Sequence, residues 1–202
     1  MRNVYEEYKQ KLVSAEEAVS YVKSGDRIFY SEFEMIPESL DAALAQRISQ
    51  LKNVELRCVC TSRIPKVVEA DPKREHIVMN DWHLSTAGRR LHDQNLCNYI
   101  PFSYHQGPRT IRKYLDFDCA FILVAEMDKN GYFNYGLCNS ITGAVIDKAK
   151  KVIVEVNKNV PYCYGGNRES VHISRVDLIV EGANPPLAEV PPMSPKEADR
   201  RM

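Results

Sequence analysis

Two segments of this chain carry side chains able to hold an anion. In Tyr104-His105-Gln106-Gly107-Pro108-Arg109, an imidazole, a carboxamide and a guanidinium lie within six residues. Arg109 in such a loop can take a carboxylate through two parallel hydrogen bonds. The alternative is a rigid Gly-Pro turn with the arginine in a structural ion pair. The second segment leads into a predicted helix and contains Gly131, Gly136, Asn139 and Ser140. Free amides at a helix start can hold an anion, and the alternative there is turn glycine with plain capping by Asn139 or Ser140. His105, Gln106, Arg109, Gly136, Asn139 and Ser140 are therefore the candidate substrate-binding residues.

Other reactive side chains point to less. His76, His83 and His92 match no H-x-x-x-H pair and have no cysteine pair beside them, so no metal site is expected. Six cysteines (58, 60, 97, 119, 138 and 163) form no C-x-x-C motif and are expected as buried, reduced thiols. Glu126 closes an apolar run and reads as a loop carboxylate rather than a nucleophile. Arg89-Arg90 and Arg200-Arg201 read as solvated faces.

The elements that position these residues follow from periodicity. Ser14 and Glu17 have the S-x-x-E spacing of a capping box. Ala15, Ala18, Val19 and Val22 give the helix behind it an apolar face, and Gly25 fits its stop. Arg27–Tyr30 reads as a strand. A helix after Pro37 carries Leu40, Leu44, Ile48 and Leu51 on one face, and Val54–Cys60 reads as the next strand. Strand, helix and strand at this spacing predict an α/β fold with three layers and a mainly parallel sheet. Cys119–Ala125, an unbroken apolar run, predicts an interior strand. Asn130-Gly131 predicts a tight turn and a small hairpin through Tyr132, Phe133 and Tyr135. A helix over Ser140–Lys150 and strands over Lys151–Asn157 and Val176–Val180 follow. Residues 61–118 show no clear pattern and are expected to form a capping or active-site insertion. The expected division is one α/β domain over 1–181, then a proline-rich linker and the truncated start of a further segment over 182–202.

Composition bounds the function classes. Among 202 residues, 27 basic side chains balance 27 acidic ones, so no global field favours nucleic acid or an anionic membrane. No apolar run reaches the roughly 18–20 residues of a membrane span, and the first residues lack the apolar core of a signal peptide. The expected location is cytoplasmic.

Several blocks in order then resemble one family. EEYKQKLVSAEEAVSYVKSGDRI near the start, LKNVEL at 51–56, GPRTIRKY at 107–114, MDKNGYFNYG at 127–136, DKAKKVIVEVN at 147–157 and VHISRVDLIVEGANPP at 171–186 resemble the N-terminal half of the acetyl-CoA hydrolase/transferase family. The likeness is greatest to its butyryl-CoA:acetate and 4-hydroxybutyrate CoA-transferases. The resemblance implies an enzyme that moves CoA between an acyl-CoA and a short-chain carboxylate such as acetate. A glutamate attacks the thioester and becomes a glutamyl-CoA intermediate. The resemblance implies no bound cofactor, CoA thioester serving as substrate. It places the nucleophilic glutamate beyond Met202, in a C-terminal half or a partner chain, so this chain alone is expected to be inactive and to assemble as a homo-oligomer. An acyl-CoA hydrolase of the same family and a non-catalytic binding domain are the alternatives. One departure stands out. Relatives carry a Gly-containing loop after the first strand, where this chain has Ser31-Glu32-Phe33-Glu34-Met35-Ile36-Pro37. Two acids there would repel a carboxylate acceptor unless they point away.

Overall fold

The computed structural model describes residues 3–101, 103–187, 189 and 193–201. Its centre is a seven-stranded parallel sheet in the order β4-β3-β2-β1-β5-β7-β9. The strands are β1 (Arg27–Tyr30), β2 (Val54–Cys58), β3 (Ile77–Asp81), β4 (Cys97–Tyr99), β5 (Phe117–Val124), β7 (Ala149–Val156) and β9 (Leu178–Glu181). A separate antiparallel pair joins β6 (Tyr132–Asn134) to β8 (Ser170–His172). The helices are α1 (Val4–Lys11), α2 (Ala15–Ser20), α3 (Glu38–Arg47), α4 (Lys66–Glu69), α5 (Thr86–Asp93), α6 (Gly107–Tyr114), α7 (Thr142–Lys148) and α8 (Glu197–Arg200).

Alternation along the strands builds two cores, one on each sheet face. Ile28 and Tyr30 of β1 join Leu40, Leu44, Leu56 and Phe121 on the face covered by α2, α3 and α4. Phe29, between them, points the other way to Phe117, Ile122, Val145 and Val154, under α6 and α7. Helices on both faces of one parallel sheet make the three-layer α/β fold that the strand–helix–strand spacing predicts.

The structure redraws several predicted elements. Ser14 does cap α2, its hydroxyl accepting the Glu17 amide at 3.1 Å, but α1 precedes it and the sequence reading passed over that helix. β2 stops at Cys58, since Cys60 takes a left-handed φ of 52° that no strand continues. The predicted hairpin is cut short. Only its turn end is made: the amides of Asp128 and Ala125 donate across the Asp128–Tyr132 turn to Tyr132 and Asn134, both at 2.9 Å, while the ladder partner of β6 is the antiparallel β8, about forty residues downstream, rather than β5. The predicted Ser140–Lys150 helix is the shorter α7, because Ala149 already pairs with Phe117 as the start of β7. The strand predicted over Val176–Val180 begins at Leu178, after a 3₁₀ turn at Ile173–Arg175. Residues 61–118 form no insertion: β3 and β4 extend the sheet itself, with α5 and α6 as their connections. Cys60, Cys138 and Cys163 are only partly buried, unlike Cys58, Cys97 and Cys119. Val190, Pro191 and Pro192 of the expected linker lie outside the described residues. Among the described residues no helix is long and apolar enough to cross a membrane.

Candidate active-site crevice

The sheet order fixes where a crevice must open. From β1 the chain moves outward through β2, β3 and β4, then returns to the opposite side of β1 as β5. The connections leaving β1 and β5 diverge, and beyond the carboxyl ends of two such strands an α/β sheet leaves a gap. Three segments border it: residues 31–37 after β1, the 3₁₀ turn Tyr104–Gln106 that follows β4, and residues 137–141 before α7. β4 is the strand that the sequence did not reveal ahead of Tyr104.

Glu32 ties these segments together. Its side chain is fully buried and accepts five hydrogen bonds from the start of α7. The donors are the amides of Ser140 (3.3 Å), Ile141 (3.0 Å) and Thr142 (3.1 Å), and the hydroxyls of Ser140 and Thr142, the latter at 2.8 Å. Burial raises the Glu32 carboxyl above its ordinary value against the pull of these donors. The Tyr104 side chain in turn interacts with Ser140, so all three segments meet there. Ser31 pins the β1–β5 junction, its hydroxyl accepting the Leu123 amide at 2.7 Å.

The acidic loop therefore resolves into two different acids. Glu32 points into the protein and its charge is consumed by α7. Glu34 stays partly exposed, with Oε2 buried and lacking a hydrogen-bond partner among the described residues. It lies near Cys60, whose thiol is raised above its ordinary value, by burial first and then by the Asp81 and Glu34 carboxylates. Burial and Glu32 likewise push the Cys138 thiol well up. Both thiols are held protonated at neutral pH, which makes them poor nucleophiles.

The candidate substrate-binding residues separate in the structure. Ser140 is at the meeting point, donating to Glu32. Asn139 donates to the backbone carbonyls of Asn167 (3.3 Å) and Arg168 (3.0 Å). The helix start that was expected to hold an anion is already filled by the protein's own Glu32. Gly136, at φ 62°, has a packing role: a Cβ there would stand 2.4 Å from Val160 Cγ1 and 3.1 Å from Met35 Cε. This close approach seats Met35 of the 31–37 loop against the segment leading to α7. His105 and Gln106 are exposed in the 3₁₀ turn. Arg109 sits in α6 rather than in a loop, exposed and without an ion pair among the described residues.

Two arginines that sequence reasoning did not single out lie beside Asn139 and Ser140. Arg112, one turn after Arg109, and Arg168 line a cleft of 270 Å³ between α6 and α7 together with Pro108, Asn167 and the first turn of α7. No local motif marks Arg168, which reaches α7 from the loop before β8. A second cleft, of 390 Å³, opens at the carboxyl ends of β5, β7 and β9, where Glu126 and Glu181 face Tyr5, Tyr8 and Lys158. Glu126 is an exposed loop carboxylate there, and the Tyr8 hydroxyl donates to Glu181 at 3.0 Å. His76 and His92 each bond a backbone carbonyl through Nδ1. No group of three or more metal-ligating side chains occurs among the described residues.

Comparison with known proteins fits this frame. Residues 1–191 match the acetyl-CoA hydrolase/transferase N-terminal domain. The chain is 42% identical to a butyryl-CoA:acetate CoA-transferase of Anaerostipes caccae, over 92% of this chain and 42% of that protein. It is 37% identical to a probable butyrate:acetyl-CoA coenzyme A-transferase of Syntrophomonas wolfei, over 100% of this chain and 45% of that one. Among solved structures, RipA from Yersinia pestis superposes with a TM-score of 0.84 at 27% identity, covering 96% of this chain and 47% of RipA. A Porphyromonas gingivalis 4-hydroxybutyrate CoA-transferase shares the fold with a TM-score of 0.68 at 23% identity, covering 94% of this chain and 43% of that one. The chain thus spans less than half the length of these relatives. It belongs to the acetyl-CoA hydrolase/transferase family, of which it carries the N-terminal domain.

Proposed function

We propose that this chain is the N-terminal half of a CoA-transferase that moves CoA from a short-chain acyl-CoA such as butyryl-CoA to a carboxylate such as acetate. The observation that carries this reading is likeness to two such transferases along 92% and 100% of the chain. The crevice supports the division of labour. Glu32 is the acid built into it, and five donors occupy its oxygens. A carboxylate so engaged is a poor nucleophile, so the attacking glutamate belongs to the half that this chain does not span.

The exchange needs four balanced steps. The glutamate oxygen attacks the thioester carbonyl and expels CoA thiolate, leaving a mixed anhydride. The thiolate attacks the glutamyl carbonyl and releases the first carboxylic acid as its anion. The acceptor carboxylate attacks this glutamyl thioester and expels the thiolate again. The thiolate then attacks the new acyl carbonyl and frees the glutamate. Carboxylate and thiol supply all the chemistry, with no metal or redox group. If water takes the acceptor's place, the same intermediate makes the enzyme a hydrolase, the other activity in the family's description.

The test is to follow acetyl-CoA and free CoA by chromatography, with butyryl-CoA and acetate, in protein comprising this chain and the remaining half found in its relatives. Acetate-dependent acetyl-CoA formation is expected. Free CoA released without acetate would replace the transferase reading with hydrolysis. No turnover of either kind would make the domain a non-catalytic binding module. The 202-residue chain alone is expected to be inactive; turnover by it that Glu126→Gln abolishes would move the nucleophile into this half.

A further inference from the structure

The cleft between α6 and α7 concentrates positive charge in a protein whose net charge is zero. Arg168 and Arg175 both approach Asp147 of α7, at 2.6 Å and 3.7 Å. Arg112 acts on the same carboxylate through space and helps to hold it below its ordinary value, after Arg168. Three guanidinium groups thus share the Asp147 carboxylate. Arg109 and Lys113, on the same helix as Arg112, have no acidic partner among the described residues. Lys148, the cation of α7, is already paired with Asp116 at 2.6 Å.

Arg168 is also held in place. Its Nη1 and Nη2 both reach Asp147, at 2.6 Å and 2.8 Å. Its guanidinium lies flat against Gly143, where a Cβ would stand 3.3 Å from both Cζ and Nε. Two N–H groups are spent on Asp147, which leaves three of the five on this side chain for another acceptor. Arg112, opposite on α6, is exposed and makes no hydrogen bond or ion pair among the described residues. Asn167 lines the same space, and its carboxamide makes no hydrogen bond among the described residues.

We infer that this cleft is a phosphate-binding site, in which Arg112 and Arg168 clamp a phosphate group and Asn167 donates to it. Guanidinium forks match phosphate oxygens in geometry and charge. A phosphate at neutral pH carries between one and two charges and has oxygens enough to meet both guanidinium groups at once. Resting on the transferase reading, the source of that phosphate is the phosphorylated end of the CoA thioester.

The test is calorimetric titration of the 202-residue chain with coenzyme A, with pantetheine (which lacks phosphate) and with inorganic phosphate. Arg112→Gln and Asn167→Asp serve as variants, both at exposed positions and both checked by thermal melting. Binding of coenzyme A but not pantetheine, weakened about tenfold or more by Arg112→Gln and likewise by the charge introduced in Asn167→Asp, is expected. Binding of inorganic phosphate that Arg112→Gln abolishes, with no binding of coenzyme A, would keep the phosphate site and sink the CoA assignment. The cleft proposal is overturned if neither phosphate-bearing probe binds, or if Arg112→Gln leaves their affinities unchanged.

Discussion

Glu32→Ala removes the acceptor on which the crevice is assembled. Five nitrogen and oxygen donors lose their partner, and so does the Cys138 thiol, which donates at 3.8 Å. The hydroxyls of Ser140 and Thr142 can rotate to other acceptors, but the amides of buried Ile141 and Thr142 cannot. Each orphaned buried amide costs about 1–3 kcal/mol, so the two together cost about 2–6 kcal/mol. Part of this is returned, because the folded protein no longer holds a carboxylate away from water. A net loss of about 2–4 kcal/mol is expected, and at about 2–4 °C per kcal/mol for a chain of this size the melting temperature falls by roughly 4–16 °C. Glu32→Gln keeps one acceptor oxygen and should lose about half as much. The pH dependence provides the sharper check. Burial raises the folded-state pKa of Glu32, so the folded protein binds the proton more tightly than the unfolded chain. Stability from this group is full below the unfolded pKa and is lost as pH rises through the raised folded value. The advantage of wild type over Glu32→Gln in urea denaturation should therefore shrink from pH 4 to pH 8. An advantage that grows with pH would mean that the donors outweigh burial. A Glu32→Ala protein as stable as wild type would refute the assembly role altogether.

The other predictions test different joints. Asp41 takes the amides of Lys66 and Val67 and the Tyr30 hydroxyl, and burial pushes its carboxyl up from 3.8 to about 6. By the same sign, its contribution is full below about pH 4 and disappears by about pH 6, a change of about 3 kcal/mol. Asp41→Asn should flatten that part of the stability profile, and an unchanged profile would refute it. In Gly182→Ala, the new Cβ would stand 2.7 Å from Glu155 Oε1 and 3.0 Å from its Cγ. Glu155 must then shift off the amides of Ser39 and Leu40 that it holds at 2.9–3.0 Å; a loss of about 1–3 kcal/mol in thermal melting is expected. Tyr104 (53% exposed), Leu137 (50%) and Tyr164 (90%) leave apolar surface near the crevice. Such patches drive association, so light scattering should give a dimer or larger species, and a monodisperse monomer at high concentration would contradict this.

What the sequence revealed was whatever repeats. The apolar run 119–125 and the spacing of Leu40, Leu44, Ile48 and Leu51 impose a strand and a helix whatever surrounds them, and both lie in the core. β3 and β4 were missed because their text carries polar residues inward. Asn80 and Asp81 are buried, and Asn80 is satisfied by Glu55 on the adjacent strand and by Asn98 beyond it. That pairing becomes visible only once the strands are side by side. The hairpin is cut short for a related reason: Asn130-Gly131 makes the turn, but the ladder partner of β6 is chosen by tertiary contacts made forty residues later. The site shows the same limit. Asn139 and Ser140 could be read from turn chemistry. Glu32 reaches Ser140 across 108 residues of sequence, and Arg168 reaches Asp147 across 21. Neither contact has a local signal.

These long-range contacts share a physical logic that bears on how the domain meets an anionic substrate. The first amides of a helix amount to roughly half a positive charge. In α3 those amides are taken by Glu155, in α4 by Asp41 and at the entrance to α7 by Glu32, each a buried acid from a distant segment. Each helix thereby fixes one connection of the sheet, and each spends its terminus doing so. Helix ends that are filled from within cannot also attract a ligand, which explains why the start of α7 fails as an anion site although its sequence suits one. An anionic substrate at this edge has to be met by side chains that carry a full charge and remain uncommitted. Among the described residues, Arg112 on α6 and the spare donors of Arg168 beside Ser140 are groups that fit this requirement.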